Sequence, residues 1–287
     1  MAALLGRNRV AAAQPLLRPI PATGELLPAI GMGSWITFNI GEDGERRDWR
    51  VEVLRAFFAA GGSVIDSSPM YGSSEAVIGY GLERVGEVPL FAATKVWTPL
   101  AMLGPGQMER SRSLWGIERF DLVQIHNMLA WEGHLETLLA DKNAGRVRYV
   151  GMTTSHGRRH DDLAAAMAER SLDFVQFSYS IADRQAERRL LPLAAERRLA
   201  VIINRPFDGG DLFRAVEGKP LPDWAADCDC ANWAQFFLKF VVAHPAVTCA
   251  IPATSRVDHM RENMGALTGR LPDPELRERM ARHVLSL

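Results

Sequence analysis

Cysteine is scarce in this sequence. The 287 residues include three cysteines, Cys228, Cys230 and Cys249. An odd and small number of cysteines argues against a disulfide framework. Cys228 and Cys230 are separated by one residue and could hold a metal, but no second cysteine pair or histidine run completes such a site. We therefore expect no bound metal, and we interpret these cysteines as structural or incidental.

The chain also has almost no excess of charge of either sign. The chain has 33 basic and 34 acidic residues, which gives a formal net charge of −1. Such a balance offers no field that would attract nucleic acid or an anionic membrane surface. No stretch of 18 apolar residues occurs, so the sequence predicts no membrane-spanning helix. We expect a monomer whose partner is a small molecule.

The amino-terminal segment is unlike the rest of the chain. Arg7 and Arg9 precede three alanines, Ala11 to Ala13, as at the end of an export signal, but the apolar core of such a signal is absent. We interpret residues 1–15 as a disordered segment or the remnant of a signal or tag. The default location is then cytoplasmic, and it is periplasmic if residues 1–15 are the tail of a truncated export signal.

Short apolar runs alternate with amphipathic segments along the remaining chain, residues 16–287. Most runs are continuously apolar, which is typical of parallel strands covered by helices. Eight strand–helix units predict a single (β/α)8 barrel, a fold that needs about 250 residues. We expect a small hairpin ahead of the barrel, within residues 16–28, and a C-terminal helix within residues 273–283. The predicted strands are 29–33, 63–65, 90–95, 122–126, 148–152, 174–177, 200–203 and 247–251.

Polar residues end three successive predicted strands. Asp66 follows the second strand, Lys95 ends the third and His126 ends the fourth, while Tyr71 lies in the loop beyond Asp66. Any one of them has an ordinary structural explanation, as a turn residue, a paired charge, a core histidine or a packed aromatic. Active sites of such barrels lie at the carboxyl ends of the strands, so these four groups are expected to converge there.

The four residue types suit carbonyl reduction, in which carbon receives a hydride and oxygen receives a proton. A free tyrosine has a pKa of about 10, and a neighbouring lysine cation is expected to lower it. Asp66 would hold Lys95 and compensate for its burial. His126 would donate to the substrate oxygen, and Tyr71 would act as general acid in reduction and general base in oxidation.

These motifs resemble the aldo-keto reductase superfamily, in particular its bacterial type. The resemblance extends from about residue 16 to residue 267 and rests on the segments 66–75, 93–95, 121–126 and 251–256, followed by Glu262 and Asn263. It implies that Asp66, Tyr71, Lys95 and His126 form a catalytic tetrad. It also implies NADPH, or NADH instead, bound without a Rossmann domain, and the chain has no Gly-x-Gly-x-x-Gly after a strand.

The resemblance further implies cofactor contacts along the barrel mouth, with Gln176 facing the nicotinamide amide. Arg256 suits bidentate recognition of a phosphate at the adenosine end. The implied cofactor-binding residues are Ser34, Trp35, Thr153, Thr154, Gln176, Asn204, Arg205, Pro206, Phe207, Thr254, Arg256, Glu262 and Asn263. Ligand pockets are mostly apolar and aromatic, so Trp35, Trp97 and Met128 are expected to line the substrate pocket.

Several positions depart from the family pattern. Thr154 occupies a position where many members have asparagine, and Asn204 one where many have an aromatic that stacks on the nicotinamide. Ala253 and His259 replace a common lysine and a common arginine, so the preference for NADPH depends mainly on Arg256.

Two other functions fit parts of the sequence. A barrel that binds the cofactor as a sensor or subunit, without catalysis, could retain the same four residues. A metal-dependent hydrolase on this fold would need several histidine or carboxylate ligands at the strand ends. The chain has seven histidines and no His-x-His after the first strand, which disfavours the hydrolase.

Overall fold

The computed structural model describes residues 15–287, and the interpretation of residues 1–15 falls almost wholly outside them. Eight strands form one parallel sheet in which each strand pairs with its neighbour along the chain. Parallel bridges between Ile30 and Ala250 and between Gly33 and Ala253 join the first and last strands, which confirms the predicted (β/α)8 barrel. The eight strands are β3 (Met32–Gly33), β4 (Val64–Asp66), β5 (Phe91–Val96), β6 (Phe120–Ile125), β7 (Val147–Thr153), β8 (Phe174–Ser178), β9 (Ala200–Asn204) and β10 (Cys249–Ala250).

The predicted hairpin precedes the barrel. Its strands β1 (Leu17–Pro19) and β2 (Leu26–Pro28) pair antiparallel. Ile20 and Leu27 are buried in the same apolar cluster as the inward side chains of the barrel strands. The hairpin therefore closes the end of the barrel at which the strands begin, and access to the interior is from the opposite end.

Helices cover the outside of the barrel and bury a larger apolar cluster against it. Asp43 accepts a hydrogen bond from the Arg46 amide at the start of α1, and Asp273 caps the C-terminal helix α10 in the same way. The helices are α1 (Gly44–Ala59), α2 (Ser74–Val85), α3 (Gly104–Trp115), α4 (Trp131–Asn143), α5 (His160–Glu169), α6 (Leu190–Glu196), α7 (Asp211–Ala215), α8 (Trp233–Val242), α9 (Val257–Met264) and α10 (Pro274–Leu285).

Alternation along the strands decides which side chains point into the barrel. On β5, Phe91 and Ala93 belong to the interior cluster, so Lys95 points inward as well. The same alternation applies to the neighbouring strands. Their earlier inward-pointing residues are apolar, and the polar residues at their ends point inward as well. The interior is thus apolar near the hairpin and polar at the open end.

Glycine permits close packing of the backbone at two places, one where the first and last strands of the barrel meet and one beside an inward-pointing polar side chain. A Cβ on Gly33 would lie 2.8 Å from the Ile251 carbonyl, where the first and last strands meet. A Cβ on Gly151 would lie 3.0 Å from Cγ of Gln124. The absence of a side chain at Gly151 on β7 therefore leaves room for the inward Gln124 on the neighbouring strand β6.

The three cysteines are free thiols and are buried. The sulfurs of Cys228 and Cys230 are 3.4 Å apart, beside the buried Lys239 ammonium, which donates to the Cys228 carbonyl at 2.7 Å. Among residues 15–287, no group of three or more histidine, cysteine or carboxylate side chains is placed to hold a metal ion. Over the same residues, no helix is long and apolar enough to cross a membrane.

Candidate active site

A buried ion pair lies at the open end of the barrel. Lys95 on β5 donates to Oδ2 of Asp66 on β4 and, at 2.9 Å, to the Ser67 carbonyl. Both charged side chains are nearly inaccessible, at 1% and 2% exposure. Burial alone would favour the neutral amine, but the carboxylate of Asp66 outweighs it and holds the pKa of Lys95 above its ordinary value.

Two glutamines fix the other oxygen of Asp66. Gln124 on β6 donates to Oδ1 at 2.8 Å, and Gln176 on β8 donates to the same atom at 3.1 Å. Gln176 also donates to the Gln124 carbonyl oxygen at 3.2 Å. The carboxylate therefore has hydrogen-bond partners on both oxygens, which a buried charge requires.

Tyr71 lies above this ion pair in a 3₁₀ turn, Pro69–Tyr71, that follows β4. The Lys95 ammonium is 5.2 Å from the centre of its ring, and the His126 ring is perpendicular to it at 5.5 Å. Burial raises the pKa of the Tyr71 hydroxyl, and Lys95 offsets only part of that rise. The cation thus lowers the pKa of Tyr71 as expected, but desolvation of the phenolate is the larger effect, and the net pKa lies above the ordinary value.

His126 immediately follows β6 and is buried. Burial, reinforced by the charge of Lys95, lowers its pKa to about 3, so the ring is neutral near neutral pH. Its Nδ1 is 2.8 Å from the Ser68 hydroxyl, which already accepts a hydrogen bond from the Met70 amide at 3.2 Å. Assigning the Ser68 proton to Nδ1 leaves the proton of the neutral ring on Nε2, where it is available to a ligand.

The strand-end residues predicted to contact the nicotinamide lie beside this group. Asn204 on β9 donates to the Gln176 side chain at 3.3 Å and to the Thr154 carbonyl at 2.9 Å. Thr153 accepts from the Asn127 amide at 3.0 Å. The Thr154 hydroxyl is buried and has no hydrogen-bond partner among residues 15–287. Buried hydroxyls in proteins nearly always have a hydrogen-bond partner, so a ligand with a donor or acceptor at this position would complete the hydrogen bonding of Thr154.

The residues that follow β9 are held in different ways. Arg205 has a left-handed backbone (φ 51°) and contacts Nε2 of His156 at 2.9 Å. Pro206 is buried. Phe207 packs against Phe213 with ring centres 4.8 Å apart. Its ring is therefore part of the protein interior.

The residues predicted for the adenosine end lie just before α9 and within it. Thr254 accepts from the Arg256 amide at 3.2 Å, and Arg256 directly precedes the helix. The Arg256 guanidinium is exposed and forms an ion pair with Asp258. Asn263 is buried and Glu262 is exposed on the same helix.

The predicted substrate-pocket residues divide into two groups. Trp35 and Trp97 are exposed at the open end of the barrel, in the loops after β3 and β5. Ser34, beside Trp35, is buried and donates to the Asp66 carbonyl at 3.1 Å. Met128 is 2% exposed and belongs to the outer apolar cluster, so its side chain is packed against protein.

Comparison with known proteins decides the family. A family model described as the Aldo/keto reductase family matches residues 29–280. That match covers nearly the whole barrel. The chain belongs to the aldo/keto reductase family.

Individual members are similar to this aldo/keto reductase over most of their length. The methylglyoxal reductase YeaE of Escherichia coli (strain K12) is 27% identical over 261 residues, covering 87% of this chain and 89% of the relative. A thermostable aldo-keto reductase crystallised with the inhibitor epalrestat is 26% identical with a TM-score of 0.77, covering 93% and 99%. An aldo-keto reductase of Klebsiella pneumoniae in complex with NADPH is 24% identical with a TM-score of 0.76, covering 91% and 92%.

Sequence reasoning about this aldo/keto reductase missed three residues that support the site. Gln124 lies on β6 two positions after the inward-pointing Leu122, so the period of a strand indicates that it points inward as well. Ser68 lies in a turn, where no periodicity applies. Glu75 is buried and accepts from Thr94 at 2.6 Å and from Ser111 at 2.8 Å. Its hydrogen bonds connect α2, on which Glu75 lies, to β5 beside Lys95 and to α3.

Proposed function

We propose that this protein reduces aldehydes and ketones to alcohols with NADPH, and that Tyr71 is the proton donor. The observation that carries the proposal is the position of a protonated Tyr71 between the Lys95 ammonium and the neutral His126 ring, at the open end of the barrel. Membership of the aldo/keto reductase family supports the reaction class.

Each residue of the group has a separate task in this proposal. His126 donates from Nε2 to the carbonyl oxygen and fixes its position. Tyr71 transfers its proton to the same oxygen as negative charge develops there. Lys95 stabilises the resulting phenolate because the ammonium lies near the ring. Asp66, held by its hydrogen bonds, keeps Lys95 charged and in place.

A nicotinamide cofactor supplies the hydride when it is bound. We assign its amide to the polar layer formed by Thr153, Thr154, Gln176 and Asn204, where the Thr154 hydroxyl is unpartnered. We also assign Ser34, Trp35 and the segment Arg205–Phe207 to the cofactor site, since they follow strand ends at the same open end of the barrel. We assign the adenosine end to Thr254, Arg256, Glu262 and Asn263, since a helix start with an adjacent arginine suits a phosphate.

The preference for NADPH depends on Arg256 in this proposal. Its guanidinium is exposed and its present partner is Asp258, two residues away on the surface. A dianionic 2′-phosphate would compete with that carboxylate for the bidentate face of the guanidinium. The expected selectivity is therefore moderate.

Replacement of one hydroxyl tests the proposal. We expect Tyr71→Phe to lower kcat for aldehyde reduction by about 10²- to 10⁴-fold, the usual contribution of a general acid. NADPH binding, measured by fluorescence titration, should change little. Tyr80→Phe is the matched control, because Tyr80 is a half-buried tyrosine on α2 that donates to Asp48 at 2.6 Å, away from the tetrad.

Two outcomes would contradict the proposal. Near-normal turnover by the Tyr71→Phe variant would exclude Tyr71 as the proton donor. Tight NADPH binding by the wild-type protein without oxidation of NADPH in the presence of any aldehyde, ketone or dicarbonyl of a broad panel would favour the sensor or subunit instead.

A further inference from the structure

Two of the three cysteines lie together in the long connection between β9 and α8. Cys228 is the last residue of the 3₁₀ segment Asp223–Cys228, and Cys230 follows after one residue. That residue, Asp229, has a left-handed backbone at φ 51°. The two sulfurs are 3.4 Å apart. A modest change of the side-chain torsions therefore suffices to bring them to the roughly 2 Å of a disulfide bond.

A buried ammonium lies beside the two thiols. Lys239 on α8 is fully buried and donates to the Cys228 carbonyl at 2.7 Å. It also donates to the carbonyls of Asp229 at 3.2 Å and Arg270 at 3.3 Å. These partners are neutral, and the Asp229 carboxylate forms an ion pair with Arg270 at 2.9 Å instead. A buried cation is costly unless negative charge lies near it, and a thiolate would supply that charge.

The surroundings of Cys228 favour its thiolate form. A hydrogen bond from Cys230 lowers the pKa of the Cys228 thiol, and the Lys239 cation adds to that effect. Burial and the carboxylates of Asp227 and Asp229 oppose it without reversing it. The thiolate is the nucleophilic form of cysteine, and a neighbouring lysine is a common cause of its formation. Cys228 is therefore the nucleophile of the pair, and Cys230 is the second thiol.

The pair lies directly beneath the surface of the protein. Asp227, Asp229 and Ala231, which flank the cysteines, are exposed. Cys230 is itself 9% exposed, whereas Cys228 is fully buried. Local opening of this one turn uncovers both sulfurs and requires no unfolding of the barrel. A small oxidant can thus reach them in the folded protein.

A metal ion is the other group that two adjacent thiols could hold. Structural zinc sites use four ligands. Across the described residues, 15–287, no third histidine, cysteine or carboxylate is placed to complete such a group. The Lys239 ammonium would also repel a cation at the sulfurs. The cluster therefore favours thiol chemistry over metal binding.

The third cysteine provides an internal comparison. Cys249 on β10 is fully buried among the apolar residues that fill the barrel. Burial raises the pKa of its thiol. A thiol in such surroundings is inert. Any oxidation that depends on a nearby cation and a second thiol should therefore spare Cys249.

We propose that Cys228 and Cys230 form an oxidation site, which hydrogen peroxide converts to a disulfide, and that Lys239 stabilises the attacking thiolate. The Cys228 thiolate attacks one peroxide oxygen. An S–O bond forms, the O–O bond breaks, and the leaving oxygen takes a proton from solvent and departs as water. The Cys230 thiol then attacks the sulfenic sulfur. An S–S bond forms, and the hydroxyl leaves with the thiol proton as a second water.

Two thiols are thereby oxidised and one peroxide molecule is reduced. The proposal gives a chemical role to two cysteines that the sequence alone suggested were structural or incidental. It does not depend on the proposed function, because neither the tetrad nor a nicotinamide takes part in it.

Mass spectrometry of the wild-type protein tests the proposal. The tryptic peptide that ends at Lys239 contains both cysteines and no methionine, so methionine oxidation cannot obscure the result. Brief treatment with hydrogen peroxide at pH 7 should lower the mass of this peptide by two hydrogen atoms, and dithiothreitol should restore it. After peroxide treatment and denaturation, iodoacetamide should label Cys249 alone.

Variants separate the two thiols and the cation. In Cys230→Ser the disulfide cannot form, and dimedone should trap a sulfenic acid at Cys228. Lys239→Met should slow the loss of iodoacetamide labelling at pH 7 by about tenfold or more, because the thiolate loses its cation. That difference should shrink as the pH rises, since the thiolate then forms without the cation. Lys142→Met is the matched control, because this lysine on α4 is paired with Asp173, and its rate should equal that of wild type.

Three results would overturn the proposal. The first is labelling of all three cysteines after peroxide treatment of the wild-type protein. The second is trapping by dimedone at Cys249 and not at Cys228 in the Cys230→Ser variant. The third is an unchanged rate in Lys239→Met at pH 7, which would remove the cation from the site. If Lys239→Met does not fold, the first two measurements still decide whether the thiols react. None of these experiments uses NADPH or a carbonyl, so their failure leaves the proposed function standing.

Discussion

The buried ion pair allows stability and catalysis to be separated by substitution. Lys95→Met removes the ammonium and retains much of the side-chain volume. Asp66 then stays buried at 2% exposure with no counter-charge, although the two glutamine bonds to Oδ1 remain. Removing one partner of such a pair costs about 3–5 kcal/mol of unfolding free energy. For a chain of this size we expect Tm to fall by on the order of 10 °C.

The double variant Asp66→Asn with Lys95→Met should regain most of that stability. A neutral amide at position 66 needs no counter-charge and can still accept from Gln124 and Gln176. Activity should not return, because neither variant has a cation to stabilise the Tyr71 phenolate. The pKa of Lys95 is raised in the folded protein, so the ion pair stabilises it fully below the ordinary pKa of 10.5 and loses effect as pH rises through the higher folded value. Measurements at pH 7 therefore report the whole effect.

Urea unfolding followed by tryptophan fluorescence would give the three free energies, and NADPH oxidation with an aldehyde would give the rates. If the single variant does not fold, the comparison of the double variant with wild type still tests the catalytic role of Lys95. Stability of Lys95→Met within about 1 kcal/mol of wild type would refute the buried charge, since an uncompensated carboxylate must cost more. Near-normal rates in the double variant would refute the role of the cation.

Two further predictions concern His126 and Arg256. The pKa of His126 in the folded protein is lowered to about 3. Between about pH 6.5 and that value only the unfolded chain binds a proton on this ring, so this group should lower the free energy of unfolding by about 1.4 kcal/mol for each unit by which the pH is decreased. In urea unfolding, His126→Gln should remove that slope; an unchanged slope would assign it elsewhere. Arg256→Ala should raise the Kd for NADPH about tenfold or more and the Kd for NADH little, measured by fluorescence titration. Equal losses would exclude Arg256 from phosphate recognition.

Most of the barrel could be predicted because its strands are short, apolar and regularly spaced. The predicted strands at the seam, 29–33 and 247–251, are longer than the observed β3 and β10. There the first and last strands meet through single bridges, and hydrogen bonding across the seam is sparse. Local sequence shows which residues favour a strand and does not show how a barrel closes.

The site was predictable where one strand determines the position of a side chain. Asp66 is the last residue of β4 and Lys95 the last but one of β5, and both point inward as alternation requires. Ser68 was not predictable, because its bond to His126 joins two loops 58 residues apart. The ion pair of Arg256 with Asp258 was not predicted either, and it means that the residue expected to hold a phosphate already has an anionic partner.

The pKa of Tyr71 shows why residue types at known spacing do not determine protonation. Burial favours the neutral form of Tyr71, His126 and Lys95 alike. Of these three groups, Lys95 has a hydrogen-bonded carboxylate partner and remains charged. At neutral pH the site therefore contains a tyrosine that still has its proton to give, a neutral histidine donor and a single compensated cation. A tyrosine with a strongly lowered pKa would already have lost that proton, so burial that raises the pKa, opposed by the nearby cation, suits the tyrosine to donate it during reduction.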